Sequence, residues 1–410
     1  MTIKESLALT REKRKFQVCK VFEIKFDYSH LSKEKQKYLK TLFLEAKWIY
    51  NNILSSENIF DYSYKLKQVK VLNKDKQEEV REIHNLSSQM RQELVDRTKQ
   101  NIINLSKKKS VGFKIGKLKF KKEINSISLK QHGVTYKIIN NKYIKLQGFK
   151  KPFKVLGLEQ ILKEYEIANA NIVRKNGNYY LKITTFQNII MKQKTGKQVG
   201  LDFGIKDSVV DSNGNKFNFR FPEPKQLKRV SKELNRKLKG SSNRFSQKLK
   251  LNKQYEKLTN QKKDTINKFV SKLLKENDLI CVQDEMIHQW AKSKRKGFGR
   301  RIQHGIIGGI ISKLKHNSET LVVPRSFPST QLCPKCGSLN KHSIDKRIYN
   351  CDCGYSRDRD THSANNILTE GLKIISREPR NPMPVEKMLD LGIQTKQFSV
   401  KQEAQCFSIG

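Results

Sequence analysis

The chain has 410 residues and a hydrophobic content of 36%, which allows two or three domains and excludes a wholly disordered polymer. Lys and Arg number 84 against 39 Asp and Glu, a formal net charge of +45. Such an excess repels itself unless a polyanion neutralises it, so DNA or RNA phosphate is the expected partner. No apolar run is long enough to span a membrane and the polar, charged N-terminus carries no signal peptide, so no membrane partner is expected.

Apolar side chains alternate at Phe16, Val18, Phe22, Ile24 and Phe26, with Lys20 breaking the run, and predict a β-strand. Ser32 follows the apolar Leu31 as an N-cap. Leu39, Leu42, Phe43, Ala46, Ile49, Tyr50 and Ile53 then recur at helical spacing. A second helix is expected over 77–105, rich in Glu, Gln, Lys and Arg. From 111 to about 186 the text changes to short β pieces, such as 136–139, 143–146 and 179–186, with Asn-Asn and Asn-Gly turns between them. The first 190 or so residues therefore read as a β-domain with a helical insert at about 30–108.

A polar linker at 191–197 leads to strands at 199–203 and 208–211, a turn at Asn213-Gly214 and a strand at 216–221. A long basic helical stretch is expected over 224–275, broken near Gly240-Ser241-Ser242. An apolar strand at 279–282, a helix at 302–316 and a strand at 320–323 follow. After a cysteine cluster, a last helix starts near Thr361. Beyond 375 the chain turns polar and Pro-rich, with Pro379, Pro382 and Pro384, and is expected to be mobile or ordered only by a partner.

Of the seven cysteines, Cys19, Cys281 and Cys406 are scattered, while Cys333, Cys336, Cys351 and Cys353 fall within 21 residues. An odd count with one tight cluster points to a metal site in a reducing compartment, hence the cytoplasm, and not to a disulfide framework. Cys333 and Cys336 form one knuckle, and 14 residues later Cys351 and Cys353 form another, tighter one. Gly337 and Gly354 allow backbone amides to approach the thiolates. Four thiolates make a closed tetrahedral site, so structural Zn²⁺ is expected, in a zinc ribbon.

Three carboxylates carry the second signal. Asp202 lies in the strand Val199-Gly200-Leu201-Asp202-Phe203-Gly204. Glu285 closes the apolar run that begins at Leu279, with Asp284 beside it but facing the other way on a strand. Asp360 lies in Arg357-Asp358-Arg359-Asp360-Thr361 at a helix start. Each alone also reads as a turn or cap, and Asp284 and Asp358 compete with their neighbours. Together they fit phosphodiester hydrolysis, in which two Mg²⁺ ions roughly 4 Å apart neutralise the phosphate, activate water and stabilise the leaving oxygen. Acids from two strands and a helix can converge at one sheet edge, and hard oxygen ligands suit Mg²⁺.

These motifs resemble the TnpB proteins of insertion sequences, relatives of compact type V CRISPR effectors. The resemblance lies in Leu201-Asp202-Phe203-Gly204, in Gln283-Asp284-Glu285 followed by Trp290, in the lead-in from Val323 to Cys333, and in Asp358-Arg359-Asp360-Thr361-His362-Ser363 with Asn366. It is strong over 198–368 and looser before. It implies an α+β multidomain fold: a β-barrel wedge with a helical recognition insert at 1–190, then a ribonuclease H-like (RuvC-type) α/β domain split over 191–325 and 355–375. A zinc ribbon that binds target nucleic acid is implied at 326–354, and a flexible tail at 376–410. Asp202, Glu285 and Asp360 would carry the catalytic metals. Many relatives have the second acid where this chain has Gln283, but strand parity keeps Glu285 on the same face. His362 stands where many have Asn, next to the metal site.

The implied activity is that of a transposon-encoded, Mg²⁺-dependent endonuclease. It would cut DNA paired to a guide RNA, made from the element's own end, beside a short flanking motif. Both double-stranded and single-stranded DNA are expected partners. A nuclease-dead RNA-guided regulator, an integrase-type strand transferase and a CRISPR-associated effector are the competing readings. Charge agrees with a large nucleic acid: residues 225–250 hold ten Lys or Arg and one acid, 107–122 hold eight and none, and 292–301 add six. Phe113, Phe120, Phe245 and Phe298 lie among these charges, where stacking on bases competes with core packing as the more ordinary role.

Overall fold

A computed structural model describes residues 2–73, 75, 77–189, 193–219, 221, 224–291, 302, 305–343 and 346–377. It divides into two compact units, Met1–Ile190 and Met191–Met383.

The first unit opens with helix α1 (Ile3–Lys15), which the sequence reading did not anticipate. Thr2 and Glu5 form a reciprocal capping box at its start. Strand β1 (Gln17–Phe26) buries Phe22, Ile24 and Phe26, while Phe16 and Val18 stay exposed. Helix α2 (Lys33–Ser55) starts at Ser32, whose hydroxyl accepts from the Lys35 amide. All seven apolar residues that predicted it are buried, and each fully buried Leu or Ile contributes roughly 1.5–3 kcal/mol.

The expected helix from 77 begins later. Strands β2 (Gln68–Leu72) and β3 (Glu78–Glu82) form an antiparallel hairpin, and helix α3 (Ser88–Ser110) follows the N-cap Ser87. Helix-forming composition at 78–82 yields to pairing with β2, whose Val69 is buried.

Strands β4 (Ser126–Leu129), β5 (Tyr136–Asn140), β6 (Tyr143–Leu146), β7 (Phe153–Leu156), β8 (Glu166–Lys175) and β9 (Asn178–Asn188) join β1 in one sheet, ordered β4-β8-β9-β1-β7-β6-β5. Asn176 and Gly177, at φ of 51° and 79°, make the tight β8–β9 turn. The two edge strands are consecutive in the chain, and the Tyr136 hydroxyl on β5 donates to the Ala168 carbonyl on β8 at 2.7 Å. The sheet thus curls into a nearly closed barrel.

The second unit is built on strands β10 (Gln198–Phe203), β11 (Val209–Asp211), β12 (Lys216–Phe217), β13 (Leu279–Gln283) and β14 (Thr320–Val323), ordered β12-β11-β10-β13-β14. Strands β10, β13 and β14 run parallel, and β11 and β12 extend the edge antiparallel. The basic stretch forms α4 (Lys225–Asn235) and α5 (Ser242–Glu276), divided at Gly240 and the N-cap Ser241. A short α6 (Ile287–Ala291) and α7 (Ile307–Lys315) come before β14. Strands β15 (Ile348–Asn350) and β16 (Ser356–Asp358) pair next to the cysteines, and α8 (Arg359–Arg377) closes the unit. Strand β12 and helix α7 are shorter than expected, and α8 runs past 375. The Pro-rich tail lies outside the described residues.

Alternation on the strands gives the sheet two faces. Val199, Leu201, Phe203, Ile280 and Val282 pack with Phe269, Val270 and Leu273 of α5 and with Ile310, Ile311 and Leu314 of α7. Helix α8 covers the other face at very short range. A Cβ at Gly200 would lie 2.1 Å from the Ala364 carbonyl, and one at Gly371 would lie 2.3 Å from the Cys281 sulfur. These glycines let the helix backbone settle on the strands and fix which helix residues meet Asp202.

Candidate active site

Asp202 projects from β10 toward α8, where the Ser363 hydroxyl donates to its Oδ1 at 3.0 Å. Burial pushes the Asp202 carboxyl up to about 7, and the negative charges of Asp360 and Glu285 add to the rise. Asp202 on β10 thus feels both other predicted acids, Glu285 from the segment after β13 and Asp360 from the first turn of α8. Their oxygens do not close to chelating distance: among the described residues, the four cysteines are the one such converging group of three or more ligands.

The competing acids are occupied elsewhere. Asp284 forms ion pairs with Lys315 and Arg325, which hold its carboxyl below the usual range. Glu285, one residue on, is raised by burial, with Arg325 opposing. Asp358 accepts from the Thr361 amide at 3.0 Å and its hydroxyl at 3.1 Å, and pairs with Lys216 at 2.8 Å. It caps α8, while Asp360 lies 3.8 Å from Arg347 and 3.6 Å from Arg359.

Strand β13 ends at Gln283, one residue past the expected end, and leaves Glu285 just beyond it. The Gln283 amide nitrogen donates to the carbonyls of Phe327 at 2.6 Å and of Pro324 and Arg325 at 3.3 Å, and its oxygen accepts from Ser329 at 2.8 Å. A carboxylate there would face three carbonyl oxygens. Gln283 is therefore an anchor for the segment after β14, which supports Glu285 as the acid of this stretch.

The four thiols come together as a tetrahedral site requires. Cys333 and Cys353 sulfurs lie 3.6 Å apart, Cys336 and Cys351 sulfurs 3.5 Å apart, and all four fall within 4.8 Å of one another. Zn–S bonds of about 2.3 Å imply sulfur separations near 3.8 Å, so the set fits zinc. Gly337 and Gly354, at φ of 75° and 83°, close the two knuckles by donating to the Cys333 and Cys351 carbonyls at 2.9 Å. The Ser338 hydroxyl beside Cys336 and Cys351 lowers both thiols, while desolvation and the crowding of the neighbouring sulfurs raise Cys353, as four thiols sharing one small site do.

His362 departs from expectation. It is fully buried and stacked on Tyr349, with ring centroids 3.9 Å apart, and burial lowers it to about 4. Its ring belongs to the packing between α8 and the cysteine hairpin. Asn366, another residue the sequence reading gave no role, donates to the Ser329 and Leu332 carbonyls, both at 2.8 Å, and holds the lead-in to Cys333 on α8. The readable signal for Gln283 was a polar side chain at an inward position of an apolar strand. Ser329, Ser363 and Asn366 had no such signal, because the partners named here lie 34 or more residues away in the chain.

The aromatic residues among the basic runs also depart from the core role expected of them. Phe113, Phe120 and Phe245 are 65%, 65% and 61% exposed. Residues 292–301, with Phe298, lie outside the described residues. Among the described residues no helix is long and apolar enough to cross a membrane.

The family model OrfB_IS605, described as "Probable transposase", matches residues 182–293, which include Asp202 and Glu285. The model "Cas12f1-like, TNB domain" matches residues 310–367, which include the four cysteines and Asp360. A "Putative RNA-guided DNA endonuclease" of Streptomyces pristinaespiralis is 29% identical over 205 residues, covering 48% of this chain and 50% of that protein. The "Putative RNA-guided DNA endonuclease InsQ" of Escherichia coli K12 is 25% identical over 234 residues, covering 51% and 58%. The "TnpB-like protein MJ1635" of Methanocaldococcus jannaschii is 28% identical over 124 residues, or 30% of each chain. The chain thus spans about half the length of the first two curated relatives. A solved structure, the cryo-EM Cas12f1–sgRNA–target DNA complex, aligns over 86% of this chain and 99% of that chain with a TM-score of 0.49 and 12% identity. Through the two matched segments and these relatives, the second half of the chain is similar to TnpB-type and Cas12f1-like proteins.

Proposed function

We propose that this protein is an RNA-guided DNA endonuclease encoded by a transposable element, cutting DNA paired to a guide RNA from the element's own end beside a short flanking motif. The observation that carries this reading is the buried Asp202 on β10, bonded to Ser363 of α8 and acted on by the charges of Asp360 and Glu285 from two other segments. Three crowded acids, one of them raised to about 7, form a donor set that a hard divalent cation relieves. Asp202, Glu285 and Asp360 would hold Mg²⁺, which supplies charge neutralisation and an activated water for phosphodiester hydrolysis. Helix α8 sets the position of Asp360 and, through Ser363, the orientation of Asp202. Asp284, Lys315 and Arg325 fix the backbone from which Glu285 projects.

On this reading the five-stranded sheet with α5, α7 and α8 is the ribonuclease H-like nuclease domain, split over 191–325 and 355–375. The segment 326–354 is a zinc ribbon that contacts target DNA, and the first 190 residues are a wedge and recognition module. The Lys-rich segments 107–122 and 225–250 bind phosphate, and the exposed Phe113, Phe120 and Phe245 stack on bases of guide RNA or unwound DNA. A thiolate zinc site suits a reducing compartment, and on this reading the protein works in the cytoplasm.

The test is Mg²⁺-dependent cleavage of a plasmid carrying a guide-matched target and a randomised flank, with the protein co-expressed with RNA from its own locus. Guide-dependent cuts beside one enriched flank support the reading. Guide-dependent binding without cuts overturns it in favour of a regulator. The description of the matching model over 182–293 favours one second reading, DNA strand transfer; joined DNA ends instead of free hydrolysed ends would establish it.

A further inference from the structure

Four buried or half-buried polar groups form a chain of contacts that ends on Asp202. The Gln283 oxygen lies 2.8 Å from the Ser329 hydroxyl, which lies 3.1 Å from the Ser363 hydroxyl, which lies 3.0 Å from Asp202 Oδ1. Ser363, Ser329 and Gln283 are 0%, 5% and 6% exposed. Three backbone carbonyls surround the Gln283 nitrogen, so the amide has one orientation and its oxygen faces Ser329. That oxygen has no proton, so Ser329 donates its only one. Ser329 can then only accept from Ser363.

Ser363 also has one proton, and two acceptors compete for it: Ser329 Oγ and Asp202 Oδ1. An ionised carboxylate is the stronger acceptor, because the bond is charge-assisted. We propose that Ser363 is a positioning residue, whose hydroxyl commits its proton to Asp202 Oδ1 and fixes that carboxylate relative to the α8 helix that bears Asp360. The proposal rests on the reading of Asp202 as a holder of the catalytic cation. Ser363 is placed for this role by the close seating of α8 on β10 at Gly200. Its proton donation costs the relay nothing at Gln283, since Ser329 remains the donor there. Ser329 has the contrasting role: it satisfies the Gln283 oxygen and competes for the Ser363 proton.

The two serines therefore separate stability from metal affinity. The experiment measures Mn²⁺ binding to the full-length chain, freed of nucleic acid, by electron paramagnetic resonance of free Mn²⁺, with a thermal melt of each variant. The wild type is expected to bind Mn²⁺ and Asp202→Ala to lose it. Ser363→Ala should weaken binding about tenfold or more, as loss of a partner behind a metal ligand does, with a smaller change in melting temperature than Ser329→Ala. Ser329→Ala leaves the Gln283 oxygen unpaired and should melt lower, yet hold Mn²⁺ within about twofold of wild type, since Ser363 then has Asp202 as its sole acceptor. Ser363→Cys, which keeps a donor but a weaker one on a larger atom, should lie between wild type and Ser363→Ala. Wild-type affinity in Ser363→Ala, or an equal loss in Ser329→Ala, overturns the positioning role alone. Failure of the wild type to bind Mn²⁺ through Asp202 overturns the nuclease reading, and the positioning role with it.

Discussion

At Asp284 and Glu285 the chain offers two adjacent carboxylates, and their neighbours separate their roles. Asp284 is held by Lys315 and Arg325, while Glu285 is raised by burial and acts on Asp202. Asp284→Asn is expected to keep guide-directed cleavage within a few-fold of wild type, because each part-exposed ion pair contributes about 1 kcal/mol or less; single-turnover rates check this. Asp358→Ala removes the cap of α8 and should lower stability by about 1 kcal/mol, read by chemical denaturation. The four cysteines were legible because their spacing is part of the metal chemistry they fit. Gln283, Ser329 and Ser363 were not, since nothing in their local text says which backbone carbonyl or hydroxyl they meet.

Elements were legible where a periodic apolar stripe decided them, as in α2, and less so where pairing or charge decided. Residues 78–82 carry helix-forming side chains and still form a strand, because β2 offers a ladder and Ser87 offers the helix a later start. The α2 stripe also hides a polar anchor: Glu45 is buried and accepts from the amides of His84, Asn85 and Leu86 and from the Asn85 side chain. Glu45→Ala leaves those donors unpaired and should cost about 3 kcal/mol or more, seen as a lower melting temperature. Helix α1 has little apolar face and is tied to β8 by charge, with Arg14 and Lys13 reaching Glu166 at 2.5 and 2.7 Å. Hydrogen bonds from Arg14 and then Lys13 pull the Glu166 carboxyl from 4.5 to about 2. A depressed carboxyl stabilises above its unfolded pKa, so the tie should weaken as pH falls from about 4.5 toward about 2. Glu166→Gln should remove that part of the pH dependence, measured by hydrogen exchange in α1. Its Thr2–Glu5 capping box was a readable start that went without the apolar stripe that normally confirms a helix.

Over the whole molecule, the excess of 84 basic over 39 acidic side chains makes nucleic-acid affinity strongly salt-dependent. The four-cysteine cluster fits zinc, which would couple metal binding to folding of its segment, so Cys351→Ser should lose zinc by elemental analysis and loosen the neighbouring hairpin. The central claim is narrower: Asp202, Glu285 and Asp360 act together as the cation-holding acids of a guided nuclease. The most direct measurement is the single-turnover rate of Mg²⁺-dependent cleavage of a guide-matched duplex by wild type and by Asp202→Ala, Glu285→Gln and Asp360→Asn, each bound to guide RNA. The account predicts that wild type cuts and that each variant falls by about a thousandfold or more, roughly 4 kcal/mol of transition-state stabilisation, while still binding the duplex. Cleavage by Glu285→Gln at the wild-type rate, or no guided cleavage by the wild type, would contradict it.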